Sequence, residues 1–345
     1  MLVALIMAGG QGTRFWPLST EDKPKQFLNL IGNETMIQMT VNRMRPIIPI
    51  ERIFVCTGKR YVDLVKEQVP ELPERNIIIE PEARNTAPCI ALSSMIVERY
   101  YKNATMIVLP SDHLISDEDK FRRIIREGND YLNDNENAIL TLGMKPNRAE
   151  TGYGYIKLGE KVNSAISKVD RFVEKPNREL AEEYLELGNY LWNGGMFIWK
   201  INNIINKIKE YIPNTYEALH SIREVPEDKL QDIIDERYSR TDQISIDYAV
   251  LEKSNEIYVL PSEIGWDDIG SWKAVERYRK KDNSGNISSN NTIKIESEDN
   301  MIINNHKKVV MIGVKDILTI ELEDRIFVIN KNYIDNLREY KNLVQ

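Results

Sequence analysis

Cysteine is nearly missing from this chain: Cys56 and Cys89 are the only two, and each lies inside an apolar run. So few thiols exclude a disulfide framework and a cysteine zinc site, and they read as reduced, buried groups of an intracellular protein. Histidine is scarce as well, at three residues, and no metal-ligand spacing supports a histidine cluster; His113 is given no chemistry. An excess of positive charge is also lacking. With 46 Lys+Arg against 53 Asp+Glu the net charge is -7, which argues against a broad nucleic-acid surface and fits a small anionic substrate. Finally, no apolar run approaches the roughly 18 residues needed to span a bilayer. The apolar start, Leu2 to Ala8, lacks a basic flank and runs straight into Gly9-Gly10-Gln11-Gly12, so it reads as a strand and turn and not as a signal peptide. A soluble, cytoplasmic protein with neither membrane nor nucleic-acid partner is expected.

What is present is a core-forming sequence, 42% hydrophobic over 345 residues, enough for one large domain and a small one. Apolar runs suited to buried strands occur at 2–8, 53–57, 77–80, 105–109 and 138–142, and helical periodicity fills 36–44, 61–69, 87–101 and 121–132. This alternation predicts an α/β fold with a Rossmann-like mixed, mostly parallel sheet, whose ligands bind at the carboxyl ends of the strands. From 152 to 200 the pattern is less regular, with extended pieces around a helix at 179–187, and further helices follow at 201–212, 227–238 and 271–280. A polar break at 281–291 predicts a boundary, giving a domain of 1–284, with halves of about 1–145 and 146–270, and a small β module at 285–345. Short, closely spaced strands in that module predict stacked coils or a meander.

The run Ala8-Gly9-Gly10-Gln11-Gly12-Thr13-Arg14 directly follows the first strand, and Lys23-Pro24-Lys25-Gln26-Phe27 comes soon after. Glycines let backbone N–H groups approach phosphate oxygens, while Arg14 and Lys25 add charge where pyrophosphate develops. A dinucleotide fingerprint fails because the residue three beyond Gly12 is Phe15, and a P-loop fails because no Lys-Ser or Lys-Thr follows. Asp112 follows the strand at 105–109 and suits a hard cation such as Mg²⁺, which takes one or two carboxylates when phosphates supply other oxygens. A helix cap or turn is the plainer reading for a lone Asp there, and Asn85 or Thr86, opening an apolar helix, reads by itself as an N-cap.

The stretch Ile6 to Ser19, with Pro24-Lys25-Gln26-Phe27-Leu28, resembles the signature of sugar nucleotidyltransferases, in particular mannose-1-phosphate guanylyltransferases. That resemblance implies transfer of GMP from GTP to alpha-D-mannose 1-phosphate with Mg²⁺, Mn²⁺ or another divalent cation substituting, and release of pyrophosphate. It implies a nucleotide site of Ala8, Gly9, Gly10, Gly12, Thr13, Arg14, Lys25, Asn85, Ala87, Pro88 and Asp112, in which the segment at 80–88 approaches the base. In Gly265-Trp266-Asp267-Asp268-Ile269-Gly270 it puts the second metal ligand at Asp268 beside Asp112, although Asp267 stands where the family more often has a small polar residue. For the sugar phosphate it implies Gly152, Tyr153, Glu174, Lys175, Asn193 and Gly194; Lys175 joins Arg14, Lys25, Asp112 and Asp268 as catalytic.

The resemblance extends to Ser245-Ile246-Asp247-Tyr248-Ala249-Val250 and into the tail, and so covers nearly the whole chain. It makes 1–145 the nucleotide half and 146–270 the sugar-phosphate lobe. In related short, monofunctional forms the tail builds part of a left-handed β-helix and joins dimer contacts, so a homodimer is expected, without the cupin-like isomerase domain of bifunctional relatives. Two competitors stand beside this reading: the same chemistry on another pair, such as glucose 1-phosphate with dTTP, UTP or ATP, and a regulatory nucleotide-binding module without turnover.

Overall fold

Valine, isoleucine and leucine fill both faces of β1 (Leu2–Met7), β2 (Ile53–Gly58), β3 (Ile77–Glu80) and β4 (Thr105–Pro110), and all four pair in parallel in the order β3-β2-β1-β4. The structure, a computed structural model, describes residues 1–10, 12–288, 291–304 and 306–344. Gln11 of the glycine loop and residues 289–290 of the polar break therefore lie outside the described residues. The short strand β5 (Leu114–Ile115) follows, and then β6 (Ile139–Met144), β7 (Tyr155–Lys161), β8 (Ser167–Val173), β9 (Tyr190–Lys200) and β10 (Ile257–Ser262). Among the described residues nine strands form one sheet in the order β3-β2-β1-β4-β9-β6-β10-β8-β7.

The expected, mostly parallel sheet has four parallel neighbour pairs, β3-β2, β2-β1, β1-β4 and β6-β10, and as many antiparallel ones. Strand β9 runs antiparallel to both β4 and β6, and β7 and β8 add antiparallel pairs, so the sheet is evenly mixed. The reason is physical: a strand buried on both faces shows the same apolar run whichever way it points, so composition carries no direction.

Helices α1 (Met36–Met44), α2 (Val62–Gln68) and α3 (Thr86–Tyr100) intervene between the first strands. Every residue of α3 from Ala87 to Val97 is buried, as expected of a helix apolar on all sides. It packs against α6 (Ile201–Tyr211), α7 (Pro213–Leu219) and α9 (Ile246–Ala249). Helix α4 (Glu118–Asp134) lays its apolar stripe of Phe121, Ile124, Ile125 and Leu132 on the sheet at β9 and β10, while α5 (Arg178–Leu187) and α8 (Leu230–Arg237) complete this part.

The chain divides into two compact units, each made of two stretches: Met1–Gly9 with Thr40–Trp266, and Gly10–Met39 with the chain from Asp267 onward. The sheet belongs wholly to the first. Strand β11 (Trp266–Asp267) spans the point in the sequence where the second stretches of the two units meet. The second unit carries the glycine loop, α10 (Trp272–Tyr278) and five strands: β12 (Thr292–Ile295), β13 (Met301–Ile303), β14 (Val309–Ile312), β15 (Ile317–Glu321) and β16 (Ile326–Asn330). Strand β12 pairs in parallel with β14 through Thr292 and Val309, and β13 with β15 through Met301 and Leu318. The chain thus returns to the same lateral position about every seventeen residues, as stacked coils do. Buried asparagines tie the coils together: Asn300 Nδ2 donates to Asn286 Oδ1 at 2.9 Å, and Asn300 Oδ1 accepts from Ile317 N–H at 3.0 Å. The chain closes with a 3₁₀ segment, Lys331–Leu343.

Candidate active site

At the end of β1, Ala8 is pinned by the neighbouring strand: its N–H donates to the Cys56 carbonyl at 2.7 Å, and its carbonyl accepts from the Thr57 hydroxyl at 3.0 Å. From Gly10 on, the loop belongs to the second unit. The Gly10 carbonyl accepts from Gln26 Nε2 at 2.9 Å. Gly12 has φ +37°, and a Cβ there would lie 2.7 Å from the Lys25 backbone nitrogen, so both conformation and space demand glycine. Gly12→Ala is expected to cost about 2 kcal/mol in left-handed strain and steric displacement and, if the loop receives a nucleotide as its sequence implies, to weaken that binding. Thermal unfolding and a nucleotide titration measure the two effects. Thr13 and Arg14 then enter a 3₁₀ turn whose next residue, Phe15, is buried edge-on against Trp272 at 5.2 Å, while Trp16 meets Phe327 at 5.2 Å. These aromatics anchor the loop and leave the Arg14 side chain exposed.

Lys25 is buried, and its Nζ donates to the Asp268 backbone carbonyl. A Cβ built on Gly270 would lie 3.0 Å from Asp268 Oδ2 and 3.4 Å from Arg14 Nη1. Arg14, Lys25 and Asp268, far apart in sequence, are thus brought together in one unit. The adjacent carboxylate differs sharply. Asp267, 1% exposed, accepts from Ile269 N–H at 2.8 Å, Arg277 Nη2 at 2.7 Å and Tyr278 hydroxyl at 3.2 Å. Its oxygens are committed to shaping the turn before α10. Ile269 within that turn has φ +44°, a left-handed conformation that a β-branched residue holds only under constraint.

Asp112 sits in the turn directly after β4, partly exposed, with one carboxylate oxygen 4.0 Å from His113 Nε2. The Trp266 indole can only donate, and it does so to His113 Nδ1 at 3.1 Å, so the neutral imidazole carries its proton on Nε2, facing Asp112. His113, assigned no chemistry from sequence, is therefore the neighbour that orients toward Asp112. Trp266 also contacts Tyr153, with ring centroids 5.1 Å apart, and Tyr153 meets Trp192 at 5.2 Å. Arg148 lies over Trp192 and donates to the Tyr153 hydroxyl.

The segment before α3 has Asn85 as its cap, accepting from Thr86 N–H at 2.8 Å with φ +73°. Asn85 itself is exposed, whereas Ala87 and Pro88 are buried and offer a ligand only backbone. Arg84 Nη2 donates to the Thr241 carbonyl at 2.7 Å and Ile246 N–H to the Thr86 hydroxyl at 2.9 Å, which holds this segment against the one at 241–246.

Beneath it, Cys56, Glu80 and Cys89 gather within 4.8 Å of one another, all buried, and the Tyr238 hydroxyl donates to Glu80. Burial pushes the Cys56 thiol and the Glu80 carboxyl up; Cys89 is pushed well up, first by its hydrogen bond to Cys56 and then by burial. Both cysteines are free thiols. A cation there would require two buried thiolates, whereas both thiols are held protonated, so the cluster reads as a hydrogen-bonded one.

In the lobe after β6, Glu174 reaches over Gly154, where a Cβ would fall 2.9 Å from its Oε2. Glu174 Oε1 pairs with Lys175 Nζ at 3.0 Å, an exposed ion pair on a backbone with φ +40° at Lys175. Asn193 Nδ2 donates to Asp247 Oδ1 at 2.9 Å, its Oδ1 accepts from Gly195 N–H at 3.1 Å, and its own N–H meets the Gly154 carbonyl at 2.8 Å. The structure therefore brings Glu174, Lys175 and Asn193 to one place with Asp247. Burial, opposed by Asn193 and reinforced by the Glu174 charge, raises the Asp247 pKa. Gly194 packs against Met144 and the Leu142 carbonyl, inside the strand, and Gly152 is exposed in the turn before β7. Sequence reading noted the motif around Asp247 but gave the residue no role; its partner is 54 positions away, so no local pattern announces the pair.

The nucleotidyl transferase family model matches residues 3–285. The chain is 36% identical to a mannose-1-phosphate guanylyltransferase of Salmonella montevideo, over 98% of this chain and 73% of that protein, and 35% identical to one of Sinorhizobium fredii, over 100% and 67%. A crystal structure from Thermus thermophilus, described as a mannose-1-phosphate geranyltransferase, shares 30% identity and a TM-score of 0.86 over 99% of each chain. A mannose-6-phosphate isomerase structure from Helicobacter pylori, at 22% identity and a TM-score of 0.60 over 77% of this chain and all of its own, shares the fold. The chain belongs to the nucleotidyl transferase family and, within it, to the mannose-1-phosphate guanylyltransferases.

Proposed function

We propose that this enzyme transfers GMP from GTP to alpha-D-mannose 1-phosphate, giving GDP-mannose and pyrophosphate. The observation that carries the reading is the convergence of Arg14, Lys25 and Asp268 in one unit, from segments as far apart as 14 and 268. An oxygen of the sugar phosphate attacks the α-phosphorus of GTP in line, and the bond from that phosphorus to the bridging oxygen breaks. Because the attacking phosphate is already anionic, no general base is needed. The work falls to positioning and charge: Arg14 and Lys25 hold the departing pyrophosphate, and Lys175 offsets the charge of the incoming phosphate.

Asp112 and Asp268 each have the hard oxygen donors that Mg²⁺ or Mn²⁺ takes alongside phosphates, and a bound cation would supply further positive charge to the transferring phosphoryl group. The commitment of Asp267 to Arg277, Tyr278 and Ile269 supports Asp268 over its neighbour. Exposed Asn85 and the backbone of Ala87 and Pro88 are assigned to the guanine, with Ala8, Gly9, Gly10, Gly12 and Thr13 for the phosphates. Gly152, Tyr153, Glu174, Asn193 and Gly194 are assigned to the sugar phosphate. For Glu174 and Asn193 the support is their shared cluster with Asp247; for Gly194, packed inside its strand, only backbone contact fits.

The family match ends at 285, which supports a catalytic domain of 1–284 and a small module at 285–345. Parallel pairing at a constant offset supports reading that module as a β-helix fragment, of the left-handed kind by resemblance. The paired strands β12 and β14 carry Ile295, Val310 and Ile312, 47%, 55% and 64% exposed, an apolar stripe that supports a homodimer. No helix among the described residues is long and apolar enough to cross a membrane; with the free, buried thiols this supports a cytoplasmic site of action.

Pyrophosphate release with GTP, Mg²⁺ and mannose 1-phosphate, beside glucose 1-phosphate and the other NTPs, tests the reading. Preference for GTP with mannose 1-phosphate is the expected result. Preference for a different pair would keep the chemistry and move the specificity, and no release from any pair would leave a binding module.

A further inference from the structure

The C-terminal segment Lys331–Leu343 returns to the glycine loop. Ile334 and Leu337 are buried and seat the segment, and Asp335 pairs with Lys273 at the start of α10. Next to Leu337, the Arg338 guanidinium makes two bonds to one loop residue: Nη2 donates to Thr13 Oγ1 at 2.8 Å and Nε to the Thr13 carbonyl at 3.3 Å. The span is 325 residues, so nothing local in the sequence predicts it.

This contact has a chemical consequence for the loop. Arginine has donors only, so Thr13 Oγ1 must accept, and its own hydroxyl proton is left to donate to an acceptor such as a phosphate oxygen. The second bond fixes the Thr13 carbonyl, and with it the backbone between Gly12 and Arg14. A planar guanidinium holding both groups at once restrains the loop more than a point charge does.

We propose that Arg338 is a positioning residue for nucleotide binding: the C-terminal segment sets Thr13 and the turn carrying Arg14 in the arrangement that receives the triphosphate. The inference rests on the GTP reading above. Restraining a loop before the ligand arrives lowers the ordering cost of binding, so its loss falls on affinity and not on the chemical step.

Arg338→Ala is expected to raise KM for GTP about tenfold with kcat and the KM for mannose 1-phosphate within about twofold. Arg338→Lys, which retains charge without the paired geometry, should fall between. Thr13→Val removes the hydroxyl acceptor and leaves the carbonyl bond, so on that background Arg338→Ala should add clearly less than it costs alone. Thermal unfolding of each variant accompanies the kinetics, and if Arg338→Ala fails to fold, the Lys variant completes the same cycle. An unchanged KM for GTP, fully additive effects, or equal loss of kcat and of both KM values alongside a lowered melting temperature would overturn the proposal. Wild-type turnover is measured first: an inactive wild type defeats the GTP reading, whereas an active wild type with unaltered Arg338 variants defeats only this inference.

Discussion

Lys25→Met is expected to lower kcat by about a hundredfold to a thousandfold, the usual cost of removing one preorganised charge from a developing oxyanion. Methionine keeps the length and most of the volume of the buried stem, so the loss is of charge and not of packing. The Asp268 carbonyl loses its donor from Nζ, which costs about 1–3 kcal/mol of stability and lowers the melting temperature without unfolding a domain of this size. The charge on pyrophosphate is greatest as the bond breaks, and so the effect should fall on kcat more than on KM for GTP. Single-turnover and steady-state rates decide it: a kcat within about threefold of wild type would remove Lys25 from the catalytic set.

The second large effect separates two neighbouring carboxylates. Asp268→Asn should reduce kcat about a hundredfold or more and raise the Mg²⁺ concentration needed for half-maximal activity, because an amide is a poor ligand for a hard cation. Asp267→Asn should do the opposite. It removes the charge facing Arg277 while an amide oxygen still accepts from Ile269 N–H, costing about 1–2 kcal/mol, with most of the turnover and the Mg²⁺ dependence retained. Since Arg277 is 46% exposed, water screens part of that pair and the lower end of the range is expected. If the two phenotypes were exchanged, the metal role would belong to Asp267.

The contrast between these aspartates shows what sequence can and cannot carry. In Trp266-Asp267-Asp268-Ile269-Gly270 the two look alike, and only the resemblance to a family separates them. Folded, Asp267 is consumed by donors from α10 and the following turn, and Asp268 presents its backbone carbonyl to Lys25. The glycine loop was far more legible, because a left-handed turn with backbone packed close against it demands small residues. At Gly12 the reason is visible, with Lys25 N–H in the space a side chain would need. Asn193 lies between these cases: its amide suits sugar hydroxyls, but its lock onto Asp247 and Gly195 depends on a residue 54 positions away.

By itself the sequence determined the class of fold, the position of the glycine loop, the strands of the tail and the chemistry that charge and glycine permit. Each is written in local periodicity or in consecutive residues, where composition and spacing act directly. Tertiary structure decided the direction of β9, the buried cluster of Cys56, Glu80 and Cys89, the tautomer of His113 and the return of Arg338 to Thr13. These depend on partners brought near by folding, and a hydrogen bond between distant residues leaves no period in the chain. Strand direction is hidden for a related reason: an apolar run buried on both faces is the same read either way.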